Sequence, residues 1–539
     1  MSNASAERMP PGIPFIVANE FAERFCYYGI NAILAVYMTQ TLHFGDAKAT
    51  QWQSLFKSAA YFFPLAGAIV SDVFWGKFRT IMTFSMAYVL GCSILALVPG
   101  ETGLMVGLGL MAFGTGGIKP CVSTNVGDQF TSKNQHLIEK AFGYFYFSIN
   151  AGSSISIYFC PILLKAYGPL PAFGMPAVMM AFASLVFWLG RHRFAVVPPA
   201  GKAWLRDVFS PQGLKTIGSL CIIYIFVALF WSLWDQSNGQ TWTLQATSDL
   251  MDKHLFGFLA GVPGLGALAS YEMLPSQIQV VNGLFILVMI PIFTYGVYPL
   301  LRKFFAVTPL RKIGIGLFTT GSSFLIIAWI EERIQSGHSV SLWWQILAYA
   351  VLSASEVLVS ITALEFSYTQ APLKMKSFIM ALFLVSTSVG NLFTAAVNNY
   401  MVKPLQATAM QTGEQTWVSL ADVSNFVVGQ KIDFSGNSGV TTTDASGESH
   451  PLAGTYLVAQ IDPAQQRLQL MDPIARKPVS SSGDFKAADT SVSTYSLVGP
   501  AYFLFFAKVM AAGALLFIFV AVLYRERTHV REHQGLESS

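Results

Sequence analysis

The sequence predicts an all-α membrane protein with twelve spanning helices in two six-helix bundles, interrupted by a small β-rich extracytoplasmic insertion. Three observations carry this expectation. The 539 residues are 53% hydrophobic and only 12% charged, far from the balance of a soluble domain, and the mean hydropathy is +0.50. Apolar runs of spanning length recur along almost the whole chain. One long stretch, 402–496, is polar and rich in Gly, Ser and Thr, and holds no such run.

The first six runs fall at 14–42, 52–74, 79–99, 102–122, 138–165 and 171–190. The second six fall at 215–246, 280–303, 310–332, 341–367, 374–400 and 497–524. The expected organisation is therefore an N-terminal bundle over 1–190, a cytoplasmic linker over 191–214 and helices 7 to 11 over 215–401. A periplasmic β-rich insertion follows over 402–496, then helix 12 with a cytoplasmic tail over 497–539. Within the insertion, Asn425–Phe434 and Gly454–Ile461 cluster β-branched residues between turn signals such as Asp462-Pro463, which reads as strands. The expectation is a structured decoration without a role in transport.

The first run is read as a retained helix rather than a cleaved leader. Orientation follows from the short loops: Lys77, Arg79, Arg191, Arg193, Arg302, Lys303, Arg311 and Lys312 gather on one side, against Lys48, Lys165, Lys253 and Arg333 on the other. This places both termini in the cytoplasm, in a plasma (inner) membrane. The net charge of +4 is too small to suggest a nucleic-acid partner. The five cysteines lie in or beside apolar runs, which argues against a disulfide framework. No metal-ligand spacing or nucleophile–base–acid set appears in the spans, so neither an enzyme nor a metal or other cofactor is expected.

The first helix carries Glu20, Glu23, Arg24, Tyr27 and Tyr28 at i, i+3, i+4, i+7 and i+8, one polar stripe on one face. Each charge at mid-membrane costs on the order of 2.5 to 3.5 kcal/mol on insertion scales, so these groups must pair, face water or perform a function. Lys57, Lys119 and Lys508 also interrupt apolar runs. Counting residues from the helix ends brings Lys119, in Gly114-Thr-Gly-Gly-Ile-Lys-Pro120, to the depth of the stripe, where two acids and two bases form a neutral cluster. That glycine-rich run lacks the spacing of a phosphate loop, and Gly103 and Gly107 serve close helix packing. Asn150, in Phe145-Tyr-Phe-Ser-Ile-Asn150, is either a packing hydrogen bond or a substrate contact. Asp235 is an intramembrane acid flanked by Trp231 and Trp234; Glu356 lies near mid-span and Glu365 near the inner interface.

Two sets of motifs carry a resemblance. Gly67-Ala-Ile-Val-Ser-Asp72 with Gly76-Lys-Phe-Arg79 resembles the loop signature of the major facilitator superfamily. The motif Glu20-Phe-Ala-Glu23-Arg24-Phe-Cys-Tyr-Tyr-Gly29, with the runs 114–130, 145–152, 230–236 and 356–372, resembles the proton-dependent oligopeptide transporter family. The resemblance implies a major facilitator fold and a proton-coupled symporter that imports di- and tripeptides by alternating access, functional as a monomer in lipid. It implies that Glu20, Glu23, Arg24 and Lys119 couple protons, with Asp235 counted among them, that the peptide binds between Lys119 and Glu356, which meets its amino terminus with Asn282 and Asn150, and that Tyr28 and Tyr61 line the pocket. Phe147, Trp231, Trp234 and Phe383 are candidates for side-chain pockets.

The sequence departs from the family at Asn31, where an arginine normally meets the peptide carboxylate and pairs with the acid of the seventh helix. Lys57 lies at i−4 from Tyr61 and shares its face, so it is expected to pair with Asp235 and touch substrate in the arginine's place. None of the eight histidines lies mid-span, which leaves carboxylates to carry the proton. The linker is too short for two extra helices, and the insertion lies outside the family's usual pattern. Two alternatives stay open: another small anionic or drug-like substrate on the same scaffold, or a sensor whose outer module binds ligand.

Overall fold

The computed structural model of the chain describes residues 8–130, 134, 137–195, 198–199, 201, 206, 208–371, 376–443 and 449–524. The tail beyond 524 and most of the linker between 196 and 207 lie outside these described residues. Among the described residues twelve long helices follow the order of the apolar runs. The first half holds α1 (Ile13–Val36), α2 (Asp46–Ile69), α3 (Lys77–Leu97), α4 (Gly100–Asp128), α5 (Ile138–Tyr167) and α6 (Pro169–Leu189). The second holds α7 (Pro211–Ser237), α8 (Val280–Ile292), α9 (Pro309–Gln335), α10 (Trp343–Glu356), α11 (Lys376–Met401) and α12 (Pro500–Leu523). Among the described residues, eleven helices are long and apolar enough to cross a membrane. The twelfth, α1, falls outside that set and is the helix with Glu20, Glu23 and Arg24 in its interior.

Each half has its own apolar core, one around Phe25, Tyr88, Phe173 and Phe187 and the other around Phe230, Trp242, Phe324 and Phe506. Close packing inside the first half rests on small residues, as at the α3–α4 crossing, where a Cβ on Gly107 would fall 2.9 Å from the Gly91 carbonyl oxygen. Several helices carry a π turn: α1 runs into Tyr37–Thr41, α2 into Val70–Trp75, α8 into Phe293–Val297 and α10 into Val357–Ile361. Such turns widen the helix and re-aim the side chains beside them, and they concentrate at functional positions.

The seventh helix differs from its expected span of 215–246. It starts earlier, because Pro211 occupies its first turn and the Ser210 hydroxyl accepts from the Gly213 N–H at 3.1 Å. It also breaks at Asn238-Gly239 before a short helix over Thr241–Ala246. Gly239 has φ +78, and a Cβ there would lie 2.5 Å from the Asn31 carbonyl oxygen, so the break is a close approach between the halves that only glycine allows.

Between α11 and α12 the chain forms a module of β1 (Val402–Leu405), β2 (Ala407–Gln411), β3 (Trp417–Leu420), β4 (Lys431–Gly436) and β5 (Val440–Thr443). It continues through β6 (Ser449–Pro451), β7 (Gly454–Asp462), β8 (Arg467–Met471), β9 (Ser481–Gly483) and β10 (Thr490–Tyr495). Seven strands form one antiparallel sheet in the order β1-β10-β4-β7-β8-β3-β2, and β9-β5-β6 form a smaller one. A separate core of Val418, Ile432, Phe434, Val458, Leu468 and Val492 holds them together. The expected strand over Asn425–Phe434 is only half realised. Residues 425–430 turn instead, with Gly429 at φ +83 and the Gln430 side chain accepting from the Val427 N–H at 3.1 Å.

Candidate functional site

On α1 the Arg24 guanidinium sits between two acids, its Nε 2.6 Å from Glu20 Oε1 and 3.1 Å from Glu23 Oε2. Both carboxylates are buried. The helical stripe thus forms a compact triad, with a net formal charge of −1 if all three groups are ionised. Lys119 of α4 does not join it as an ion pair. Its Nζ lies 4.0 Å from the ring centroids of both Tyr27 and Tyr61 and has no hydrogen-bond partner among the described residues. Two acids and two bases thus share one neighbourhood, but without a direct ion pair to the fourth member: two aromatic faces hold Lys119 beside the triad, within electrostatic reach of both acids. A desolvated cation over an aromatic ring gains about 2 kcal/mol or more, enough to park the ammonium without locking it. Helical spacing places Tyr27 in the stripe but not beneath Lys119, because two helices must cross to create that contact.

In the second half Glu356 ends α10 at the π turn. One of its oxygens, Oε2, accepts from Trp234 Nε1 at 2.6 Å and from Asn282 Nδ2 at 3.0 Å. Asn282 also donates to the Ser353 hydroxyl at 2.9 Å, so three elements aim one carboxylate. Trp231 stacks edge-on against Trp234, with ring centroids 5.3 Å apart. Glu356 lies within electrostatic reach of the Tyr28 phenol on α1, so the two half-sites face each other across the bundle interface.

A third centre joins the halves toward the end that carries the β module. Lys57 of α2 is fully buried, not extended to an interface, and its Nζ is surrounded by Asp235 Oδ1 at 3.1 Å, the Asp235 carbonyl at 2.9 Å and the Asn238 carbonyl at 2.8 Å. These three oxygens match the three donors of an ammonium. Asn391 of α11 donates to the other Asp235 oxygen at 2.6 Å. Asn31 donates to the Asn238 carbonyl at 2.9 Å while Gln53 donates to the Asn31 side chain at 3.0 Å. In this conformation Lys57 and Asn31 are committed to one another's neighbourhood rather than to a ligand. Sequence reasoning misses Asn391, Asn238 and Gln53; the turn dipeptide Asn238-Gly239 is the available signal.

The remaining candidates separate. Phe383 is buried in the second core, its ring 5.9 Å from that of Tyr224, and is a packing residue rather than a pocket wall. Phe147 stands exposed on α5. Asn150 is half-buried on the same helix. Lys508 and Glu365 are exposed and belong to neither cluster.

The same chain is similar to known proteins over most of its length. A family model described as PTR2, POT family, matches residues 78–211 and 209–418. The chain belongs to the POT family. The POT match begins after the Glu-Glu-Arg triad and ends inside the module. Peptide transporter family 1 of Drosophila melanogaster is 35% identical over 373 residues, which take in 60% of this chain and 48% of that protein. Solute carrier family 15 member 2 of Danio rerio is 36% identical over 374 residues, 60% of this chain and 50% of that protein. The chain therefore spans about half the length of the curated relatives it matches.

Solved POT structures share the major facilitator fold. The POT family transporter PepTSo aligns at a TM-score of 0.64 with 32% identity, covering 72% of this chain and 90% of that one. A structure described as an auto inhibited POT family peptide transporter aligns at 0.70 with 26% identity, covering 97% of this chain and 99% of that one. Coverage of 97% takes in the β module, so that structure extends over the insertion as well, whereas the PepTSo alignment covers 72% of this chain and leaves the rest uncovered.

Proposed function

We propose that this protein is a proton-coupled symporter that carries di- and tripeptides by alternating access, in a plasma (inner) membrane with both termini cytoplasmic and the β module outside. The observation that carries this reading is the pair of facing half-sites, Lys119 beside the Glu20–Arg24–Glu23 triad on one side and Glu356 with Trp234 and Asn282 on the other. A short peptide is a zwitterion of nearly fixed length, so a cationic wall and an anionic wall select it while the side chains meet aromatic surfaces. The peptide-transporter names of the relatives support the same substrate class.

In the proposed cycle, Glu356 receives the peptide amino terminus, held by its two donors so that one carboxylate oxygen remains available. Lys119, loosely parked over Tyr27 and Tyr61, swings to the peptide carboxylate. Tyr28 and Asn150 border the same space. A proton on Glu20 or Glu23 frees Arg24 or Lys119 from its electrostatic hold, and binding then draws the halves together. An inward gradient supplies roughly 2.3 kcal/mol per charge per 100 mV of membrane potential. Lys57, Asp235 and Asn391 close the outer end in the conformation described, in the place left by the arginine missing at residue 31. The protein is expected to work as a monomer, without a bound cofactor.

The direct test is uptake of a labelled dipeptide into proteoliposomes under an imposed pH gradient, acidic outside. Accumulation above the bath concentration that collapses with a protonophore is the expected result. Absence of proton-driven accumulation, with reconstitution verified, would remove the assignment.

A further inference from the structure

The β module is built as part of the second half, yet it grips the first. Val402 follows α11 without a break, and β10 leads through Ser496–Gly499 into α12. The module is also seated on the second half: the Asp249 N–H donates to the Ile474 carbonyl at 3.2 Å, and Arg476 donates to the Gln335 carbonyl at 3.5 Å.

Across the interface, Lys431 of β4 pairs with Asp46 at the start of α2, Nζ to Oδ2 2.6 Å. The Asp46 N–H donates to the Thr455 hydroxyl at 2.9 Å, and Thr455 donates to Asp433 at 2.7 Å. The Tyr495 phenol donates to the other oxygen of Asp433 and accepts from the Ala47 N–H at 3.5 Å. Asp433 presses onto Gly45 so closely that a Cβ there would collide with its carboxylate. Burial works against the Lys431 charge, and the carboxylates around it, Asp46 foremost, together outweigh burial and hold the ammonium above its ordinary value.

Asp46 and Lys57 are eleven residues apart, about three helical turns, so they occupy one face of α2 at roughly 16 Å separation. Both charges on that face are answered by the second half, one by Asp235 of α7 and one by Lys431 of the module. A cavity of about 1160 Å³ lies between the module and the bundles, walled by Asp46, Lys431, Glu331, Arg476, Lys253 and His43.

We propose that the module is an outer latch: its joint with the start of α2 holds the two halves together at that end and must release each time the outer mouth opens. The reasoning is mechanical. Opening there parts α2 from α7 and α11, and a module fixed to α11, α12 and the Gln335 end of α9 cannot travel with α2. The decoration expected from the sequence becomes a second closure in series with the Lys57–Asp235 seal. This inference rests on the alternating-access reading above.

The test is a reversible lock. With Asp46→Cys and Thr455→Cys in the full chain, oxidation is expected to abolish dipeptide uptake and reduction to restore it, which also shows that the protein is folded. Uptake by the oxidised form equal to that of the reduced form would overturn the latch. A second measurement needs no transported peptide. A Ser54→Cys reporter, buried in the interface, is labelled by a membrane-impermeant maleimide only when the outer mouth opens. In the triple variant, labelling at position 54 itself, read by mass spectrometry of the peptide that holds it so that the thiols at 46 and 455 do not count, is expected to fall when those two are oxidised to a disulfide. It is expected to rise when Lys431→Met is combined with Ser54→Cys. Labelling unchanged in both would overturn the latch even if peptide proves not to be the substrate.

Discussion

Lys57 and Lys119 are lysines of the same half-bundle whose ammonium groups are both enclosed, with opposite surroundings. Lys57 is enclosed by one carboxylate oxygen and two carbonyls contributed by the other half. Lys119 has two aromatic faces and, among the described residues, no hydrogen-bond partner. A fully satisfied ammonium in a dry interface holds elements together, since removing either partner strands a charge. An unsatisfied ammonium beside two acids is poised to exchange partners. The same contrast separates Asp235, held by Lys57 and Asn391, from Glu356, whose donors sit on a single oxygen.

The largest expected effect falls on the poised centre. Glu20→Gln or Glu23→Gln should abolish uphill, proton-driven uptake while peptide exchange without a gradient persists, read by comparing accumulation with counterflow in the same vesicles. Unaltered accumulation would break the distinction between the two centres. Next comes the satisfied centre. Lys57→Ala or Asp235→Ala alone should cost the closed outer seal about 3 to 5 kcal/mol by leaving a buried charge unpaired, and the double variant should recover much of it. Maleimide labelling of a Ser54→Cys reporter measures this; additive effects of the two single changes would show that the pair does not act as a unit.

A smaller effect is expected at Glu356. Trp234→Phe keeps an aromatic ring and removes the N–H that donates at 2.6 Å, a charge-assisted hydrogen bond worth roughly 1.5 to 3 kcal/mol, so peptide affinity should change by about tenfold or more. Equal affinity in a competition assay would reduce Trp234 to packing.

The smallest effect is one of pH at the latch. Burial raises the Asp433 carboxyl to about 6, with the Thr455 and Tyr495 hydrogen bonds and Lys431 opposing the rise and Asp46 adding to it. A carboxyl with a raised folded value binds its proton more tightly folded than unfolded, so acidification through the window from about 6 to the ordinary 3.8 stabilises the fold. Thermal stability of the full chain relative to Asp433→Asn should therefore rise as pH falls from about 7 to about 5. A constant difference across that range would show that Asp433 is not the titrating group.

Much of the architecture is legible in the sequence because hydropathy is summed along the chain. Each spanning run is visible, and the triad on α1 follows from helical spacing alone. Where the sequence misleads, a contact between distant segments has intervened. Its apolar run carries the seventh helix through 246, whereas Gly239 breaks that helix to meet the Asn31 backbone. Residue counting sets Lys119 beside the acids, but only the crossing of α1, α2 and α4 places its ammonium over Tyr27 and Tyr61. Phe383 has the character of a pocket aromatic until the fold sets it against Tyr224.

The sequence by itself determined the membrane class, the two halves, the polar stripe and the unusual stretch after 402, because each follows from local composition or from the geometry of a single helix. Only the tertiary structure decided which charges meet. Lys57 finds the Asp235 carbonyl across 178 residues, and the Asp46 backbone finds Thr455 across 409. Such pairings depend on how rigid helices and a separately packed sheet dock, and docking is set by shape over whole surfaces rather than by any one segment.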